Sequence, residues 1–306
     1  MKNKINNINE LRRKKNAVIL AHYYQVPEIQ ELADFVGDSL ALAQQAEKTN
    51  ADIIVFAGVH FMAETAKILN PTKKVLVPDL NAGCSLADSC PADEFAEFLK
   101  QYPGHTVITY VNASAAVKTL SDIIVTSTNA MKIVNQLPAD EKIVFAPDKN
   151  LGNYINSVTG RNMVLWNGSC HVHNQLLAET VVMLKIQHPD VPLIAHPECQ
   201  GAILEMADYI GSTQALLNYT RTDSSLKYLV ATEGGIIHQM KKYSPDKEFI
   251  VVPADKTCNC NDCEYMKLNT IDKIEAVLQN ENNEITLSSE IIERAVIPLK
   301  RMLEMS

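Results

Sequence analysis

The chain has 306 residues, of which 46% are hydrophobic and 21% are charged, so it is long enough for two or three domains around a large buried core. Its net charge is −8 and no basic face or stripe stands out, which argues against nucleic acid or an anionic membrane as a partner. No run approaches the roughly eighteen apolar residues of a membrane span, and the start lacks the apolar stretch of a signal peptide. We therefore expect a cytoplasmic protein that acts on small molecules.

One unit of helices and strands occurs three times along the chain. Each unit begins with an amphipathic helix, at 92–102 in the second unit and at about 175–187 in the third. There follow a strand with a polar end, a second strand with a hydroxyl residue after it, a third strand, a helix and a fourth strand that leads to a cysteine. Such a unit forms a four-stranded parallel sheet covered by helices.

The predicted fold class is therefore α/β, with three homologous domains arranged with pseudo-threefold symmetry around a central site. The predicted boundaries are 1–84, 85–170 and 171–263. The tail at 264–306 is helical by its periodicity, and we expect it to pack back on the first repeat.

Polar residues stand at matching positions where the first strand of each unit ends. Intervals of 88 and then 86 residues separate the members of two sets: His22, Tyr110 and His196, and Tyr24, Asn112 and Glu198. Parallel sheets bind ligands at the carboxyl ends of their strands, so we expect these side chains to line one cavity. Those of His22, His196 and Asn112 are candidates for binding substrate carboxylates. Those of Tyr24, Tyr110 and Glu198 are candidates for proton transfer.

Three hydroxyl residues, Ser39, Ser127 and Thr213, keep the same intervals after the second strands. Each stands where a helix is predicted to begin, so the hydroxyl and the free N–H groups of the helix could hold an anion. The alternative interpretation is that all three are only helix N-caps.

Cysteines end the fourth-strand segments. Seven cysteines in a chain without a secretory signal disfavour a disulfide framework and favour metal or redox chemistry. Cys84 and Cys170 lie 86 residues apart, and Cys258 follows after 88 more, but Cys260 and Cys263 compete with it for the third position. Cys90 and Cys199 do not repeat and are interpreted as core residues.

Three thiolates from three domains suit an iron–sulfur cluster better than a structural zinc site, which needs four closely spaced ligands. A 4Fe-4S cluster held by three cysteines leaves one iron open as a Lewis acid for dehydration chemistry. Two histidines beside the second cysteine, His171 and His173, are interpreted as lining the wall.

Taken together, these motifs resemble the quinolinate synthase family. The matching stretches span nearly the whole chain: AHYYQ with Tyr24, GDS with Ser39, AGCS with Cys84, YVN at 110–112, TS with Ser127, GSCHVH with Cys170, HPEC at 196–199, GST with Thr213, TEGGI with Glu233, and CEYMKLNT with Cys263.

The resemblance implies three α/β domains around an oxygen-sensitive 4Fe-4S cluster, with Cys84, Cys170 and Cys263 as its ligands. The third ligand follows from the C-x-x-M-K context and disagrees with the repeat interval, which favours Cys258. We follow the family motif, because an insertion in a terminal loop explains the shift. Cys258 and Cys260 are then spare thiols.

The implied reaction condenses dihydroxyacetone phosphate with iminosuccinate to give quinolinate, phosphate and two waters in NAD biosynthesis. The resemblance implies Tyr24 and Glu198 as proton-transfer residues. It assigns iminosuccinate binding to one set of side chains: His22, Ser39, Tyr110, Asn112, Ser127, His196, Glu198 and Thr213. The enzyme that produces iminosuccinate is an expected partner.

Two other functions compete with this one. Another hydro-lyase with a three-cysteine cluster would share the open iron but not the phosphate product. A cluster-bearing redox sensor would use the 258–263 cysteines, but it also needs an output surface such as a basic DNA-binding helix, and none stands out.

Overall fold

The structure, a computed structural model, describes residues 2–254 and 261–306. Its first sheet is parallel, with the spatial order β2-β1-β3-β4 for β1 (Ala17–His22), β2 (Phe35–Gly37), β3 (Ile53–Ala57) and β4 (Lys74–Leu76). The helices around it are α1 (Lys2–Lys14), α2 (Pro27–Leu32), α3 (Ser39–Lys48), α4 (His60–Leu69) and α5 (Ser85–Asp88).

The second sheet repeats this order as β6-β5-β7-β8, again parallel throughout. Its strands are β5 (Thr106–Tyr110), β6 (Ile123–Val125), β7 (Ile143–Ala146) and β8 (Val164–Leu165). Its helices are α6 (Ala92–Leu99), α7 (Ala115–Lys118), α8 (Ala130–Gln136), α9 (Lys149–Thr159) and α10 (His171–Asn174).

The third sheet has the order β10-β9-β11-β12 and is also parallel. It is built from β9 (Leu193–Ala195), β10 (Tyr209–Ile210), β11 (Lys227–Ala231) and β12 (Glu248–Val251). Its helices are α11 (Ala178–Gln187), α12 (Gly201–Leu204), α13 (Thr213–Thr222), α14 (Ile236–Tyr243) and α15 (Glu264–Lys267), and the tail adds α16 (Ile271–Asn280) and α17 (Ser289–Met305). The predicted α/β class with three four-stranded parallel sheets is confirmed.

An aspartate just before the second strand of each sheet makes the same hydrogen bond three times. Its carboxylate accepts from a backbone N–H near the start of the neighbouring first strand, at 2.7–2.8 Å. The pairs are Asp34 with Ile19, Asp122 with Val107, and Asp208 with Leu193. A charged acceptor gives a strong hydrogen bond, so this contact helps to define the register of the outer strand against the central one.

The two tail helices pack in different places. Helix α16 lies against α1 and β3 and buries Ile274, Val277 and Leu278 in the core of the first sheet. Helix α17 instead lies mainly against β6 and α7 of the second sheet, with further contacts to α4. Its buried stripe, Ala295, Leu299 and Met302, recurs at helical spacing and joins a core shared by the first two sheets.

The domain boundaries at 84, 170 and 263 stay a prediction. None of the described helices combines the length and the apolar character that a membrane span requires.

Candidate active site

The described residues form a cavity where the carboxyl ends of the strands of the three sheets meet. It is lined by every residue that the sequence predicted for the site: His22, Tyr24, Ser39, Cys84, Tyr110, Asn112, Ser127, Cys170, His196, Glu198, Thr213 and Cys263. They come from all three repeats, so no single sheet could form this cavity alone. Their chemical roles stay predictions.

The first strands deliver the polar residues at equivalent points. β1 ends with His22, β5 ends with Tyr110, and His196 directly follows β9. All three are at most 5% exposed, because the strands that carry them are central in their sheets. Such burial allows polar side chains to act in a site largely free of bulk water.

The three hydroxyl residues are not the helix caps that one interpretation expected. Ser39 and Thr213 are the first residues of α3 and α13, whose caps are the preceding Asp38 and Ser212. Ser127 lies in the loop before α8, two residues ahead of its cap. The N-cap interpretation is therefore wrong, because the residue before the hydroxyl makes the capping bond in two of the repeats.

The three cysteines occupy the same local structure. Cys84, Cys170 and Cys263 are each the residue immediately before a four-residue helix, namely α5, α10 and α15. A hydrogen bond of 2.6 Å between Ser85 Oγ and His171 Nδ1 connects the first two of these helices. Cys263 thus matches the other two in context, whereas Cys258 and Cys260 lie outside the described residues.

Burial raises the pKa of all three thiols, to about 12 for Cys84 and about 11 for Cys263. For Cys170, burial and then the charge of Glu198 raise the pKa well above its ordinary value. The thiols are therefore protonated at neutral pH when nothing is bound to them. Metal binding here must release protons.

A chain of hydrogen bonds connects Tyr24 to Glu198 across the cavity wall. The Tyr24 hydroxyl lies 3.1 Å from Thr232 Oγ1, which in turn lies 2.9 Å from His173 Nε2. On the other side of the ring, His173 Nδ1 lies 2.8 Å from Glu198 Oε2 and 3.4 Å from Cys170 Sγ. Two residues predicted for proton transfer are thus joined through His173.

The buried acids and phenols differ in charge. Burial by itself raises the pKa of Glu198, but the neighbouring His173 and His196 and the Tyr110 hydroxyl lower it overall, so the carboxylate is ionised. Burial raises the pKa of Tyr24 and of Tyr110 well above the ordinary value, and Glu198 adds to the effect at Tyr110. Both phenols therefore keep their protons at neutral pH.

The two cavity histidines at strand ends are neutral. Burial lowers the pKa of His22 and of His196 to about 3. Their Nδ1 atoms accept backbone N–H groups, from Tyr24 at 3.1 Å and from Glu198 at 3.3 Å. This leaves the Nε2–H of each ring as a donor, and that of His196 lies 3.2 Å from Ser127 Oγ.

Asn112 has an acceptor without a partner. Its Oδ1 atom is buried and finds no donor among the residues that the structure describes. Buried acceptors are nearly always satisfied, so this one fits a site that a ligand completes.

Three donor atoms of the cavity could hold a metal ion. Cys170, His173 and Glu198 each offer one ligand atom, and these atoms lie within 4.8 Å of one another. Thiolate, imidazole and carboxylate form a donor set typical of transition metals. The site therefore has the chemistry of a metal centre.

Sequence reasoning missed His173 and Thr232. His173 does more than line the wall, because it contacts Cys170, Glu198 and Thr232. The three-residue spacing from Cys170 was the available signal, since it places both residues on one side of α10. Thr232 follows β11 and is the first residue of the TEGGI stretch, but the resemblance assigned a role to none of its hydroxyl contacts.

Comparison with known proteins shows which family the chain belongs to. The family model described as quinolinate synthetase A protein matches residues 6–304. A quinolinate synthase of Microcystis aeruginosa is 58% identical over 299 residues, covering 98% of this chain and 94% of the relative. Similar matches are the quinolinate synthases of Synechocystis sp., 58% identical, and Thermosynechococcus vestitus, 57% identical, each covering 98% of this chain and 94% of the relative.

Quinolinate synthases are enzymes of NAD biosynthesis, and the cavity contains a group of side chains that could hold a metal ion. With the family model matched over nearly the whole length and relatives this similar, the chain belongs to the quinolinate synthetase A family.

Proposed function

We propose that the protein is a quinolinate synthase, which condenses iminosuccinate with dihydroxyacetone phosphate to quinolinate, phosphate and two waters. The observation that carries this proposal is the meeting of three cysteines and of polar strand ends from three repeats in one cavity. Neither alternative, another hydro-lyase or a redox sensor, explains why the chain belongs to the quinolinate synthetase A family.

The cofactor of the proposal is a 4Fe-4S cluster held by Cys84, Cys170 and Cys263. The donor set fits, because each repeat supplies one thiol from the same position before a short helix, and all three thiols line the cavity. When bound, the cluster would supply an iron without a protein thiolate, a Lewis acid that assists the loss of hydroxyl groups.

The chain offers many hydrogen-bond donors for a dicarboxylate. Neutral His22 and His196 present Nε2–H groups, and Ser39, Ser127 and Thr213 present hydroxyls around the same cavity. Donors that are fixed in a buried site bind carboxylates more strongly than the same groups in water. These side chains would orient the two carboxylates of iminosuccinate, while the Asn112 carbonyl oxygen accepts the imine or enamine N–H.

Proton transfer is the second task of the cavity. Ionised Glu198 is a base that accepts a proton from carbon, and Tyr110 donates a hydrogen bond to it. Protonated Tyr24 is the matching acid, since it is linked to Glu198 through Thr232 and His173. A proton taken up at the Glu198 carboxylate could thus be replaced at the Tyr24 hydroxyl without bulk water.

We expect the enzyme to act in the cytoplasm, where thiols stay reduced and can hold a cluster. Iminosuccinate is an unstable imine, so a neighbouring enzyme that produces it is the proposed supplier.

The test combines metal analysis with product formation. We would purify the wild type and the Cys84→Ala, Cys170→Ala and Cys263→Ala variants without oxygen and measure iron, sulfide and quinolinate. We expect about four irons per wild-type chain, loss of iron and activity in each variant, and wild-type behaviour for Cys258→Ala and for Cys90→Ala, which changes a cysteine outside the cavity lining.

A second variant tests the proposed base. Glu198→Gln should keep the iron and lower the rate of quinolinate formation by about 100-fold or more. Zinc in place of iron in the wild type, or a cluster without quinolinate formation, would contradict the proposal.

A further inference from the structure

We propose that Asp148 and Glu233 are positioning residues that hold two of the three cavity cysteines by their backbones. Asp148 Oδ2 accepts the N–H of Cys170 at 3.0 Å, and Glu233 Oε1 accepts the N–H of Cys263 at 3.0 Å. Both carboxylates are fully buried, at 0% exposure. The inference about the cluster rests on the proposed function, but the contacts themselves do not.

The two carboxylates occupy equivalent positions in their repeats. In each sheet the third strand pairs with the first strand, and the carboxylate residue comes two positions after the last residue of the third strand in that pairing. The pairs are Thr109 with Ala146 in the second sheet and Ala195 with Ala231 in the third. The same contact therefore arises twice, although one residue is aspartate and the other is glutamate.

Each carboxylate also binds the start of the helix that follows its strand. Asp148 caps α9, with Oδ1 accepting from Leu151 N at 2.8 Å, and Glu233 Oε2 accepts from Gly235 N at 2.7 Å, just before α14. One oxygen thus contacts a rigid element and the other contacts the cysteine. The carboxylate therefore fixes the backbone of the cysteine relative to the helix that follows the third strand.

In the first repeat, no described residue makes this contact. There Ala57 pairs with Ala21, and the equivalent position is Val59, whose side chain offers no acceptor. In its place, the backbone N–H of His60 donates to the carbonyl oxygen of Ala82 at 2.7 Å. Ala82 lies two residues before Cys84. The three cysteines are thus held in two ways, two by a carboxylate at the cysteine itself and one by a backbone contact nearby.

Glu233 has an additional role in the third repeat. Lys267 Nζ donates to Glu233 Oε1 at 2.8 Å and to the carbonyl oxygen of Tyr24 at 2.7 Å. The carboxylate that holds Cys263 is thereby connected to the loop that carries Tyr24. Loss of Glu233 should disturb both, whereas loss of Asp148 should affect Cys170 alone.

The first test needs no cluster. In metal-free protein, the alkylation rate of each cysteine by iodoacetamide is followed by peptide mass spectrometry for wild type, Asp148→Ala and Glu233→Ala. We expect the rate to rise several-fold at Cys170 in the first variant and at Cys263 in the second, with Cys84 unchanged in both. Equal rates at the targeted cysteine, or a rise at all cysteines together, would overturn the proposal.

The second test measures cluster retention. Reconstituted proteins are mixed with an iron chelator without oxygen, and we expect iron release about tenfold faster in each alanine variant. Asp148→Asn and Glu233→Gln keep one carbonyl acceptor and nearly the same shape, so we expect partial rescue from them. Ser288→Ala removes the N-cap of α17, whose residues are not part of the cavity lining, and serves as the control for a destabilising change away from the cysteines.

The outcomes separate the two proposals. A wild type that takes up no cluster contradicts the cofactor assignment, while the alkylation pattern still decides the role of the carboxylates. If an alanine variant does not fold, as judged by circular dichroism, its amide variant replaces it in both tests. Wild-type release rates in folded variants of both sites would refute the positioning role.

Discussion

His22 illustrates how burial, at the scale of one residue, fixes a charge state. The ring is 4% exposed, and burial, with His196 and Lys267 nearby, lowers its pKa to about 3. The unfolded chain binds a proton at His22 below about pH 6.5, whereas the folded protein does not. The contribution of His22 to the free energy of unfolding is therefore fully present above pH 6.5 and is lost as the pH falls from 6.5 toward 3.

We predict that His22→Asn makes the protein less sensitive to mild acid. Between pH 7.5 and 5.0, the wild type should lose about 2 kcal/mol more unfolding free energy than the variant, at about 1.4 kcal/mol per pH unit below 6.5. Urea unfolding at both pH values measures the difference. His105→Asn, at a surface position, should behave as wild type. An equal acid sensitivity of wild type and His22→Asn would rule out a neutral buried His22.

At the scale of one element, the turn before Cys170 depends on a glycine. A Cβ atom at Gly168 would lie 2.5 Å from the Pro147 carbonyl oxygen and 2.5 Å from Ser89 Oγ. The Gly168 carbonyl oxygen also accepts the N–H of Lys149 at 2.9 Å. The turn therefore approaches the backbone after β7 too closely for any side chain.

Gly168→Ala should shift this turn and with it Cys170. We expect a loss of about 1–3 kcal/mol in unfolding free energy, as for overpacking elsewhere, together with reduced iron uptake on reconstitution. Gly201→Ala is the control, because a Cβ there meets nothing within 4 Å and alanine favours the helix α12. Unchanged stability and iron content in Gly168→Ala would mean that the turn is not fixed by this contact.

For the whole molecule, α17 connects two of the three sheets. Leu299 and Met302 are fully buried in a core that also contains Ile54 of the first sheet and Ile108 of the second. The cavity lies at the strand ends of those same sheets, and no residue of α17 is in its lining.

Leu299→Ala should therefore destabilise the first two repeats together, by about 2–5 kcal/mol. Ile297, two residues earlier on the same helix, is 66% exposed, and Ile297→Ala should change the unfolding free energy by at most about 0.5 kcal/mol. Urea unfolding followed by circular dichroism compares the two variants. Similar losses in both would show that α17 does not bury the stripe of Ala295, Leu299 and Met302.

The amino-acid sequence alone determined the threefold repeat, the parallel sheets and the polar strand ends that meet in the cavity. The third cysteine, Cys263, came from the family resemblance and not from the repeat interval. Strand and helix patterns are local, and a repeated pattern with equal intervals brings its equivalent positions to one place wherever the units pack around a common axis. For this reason, Cys84, Cys170 and the polar strand ends could be identified before any contact was known.

Only the tertiary structure decided the contacts between repeats. In the tertiary structure α17 packs on the second sheet, and Asp38 and Ser212 cap α3 and α13. His173 contacts Glu198 there as well. The tertiary structure also assigned the carboxylates of Asp148 and Glu233 to cysteine N–H groups that lie 22 and 30 residues further along the chain. Such pairings depend on how packed elements face one another in space, and no local periodicity encodes that relation.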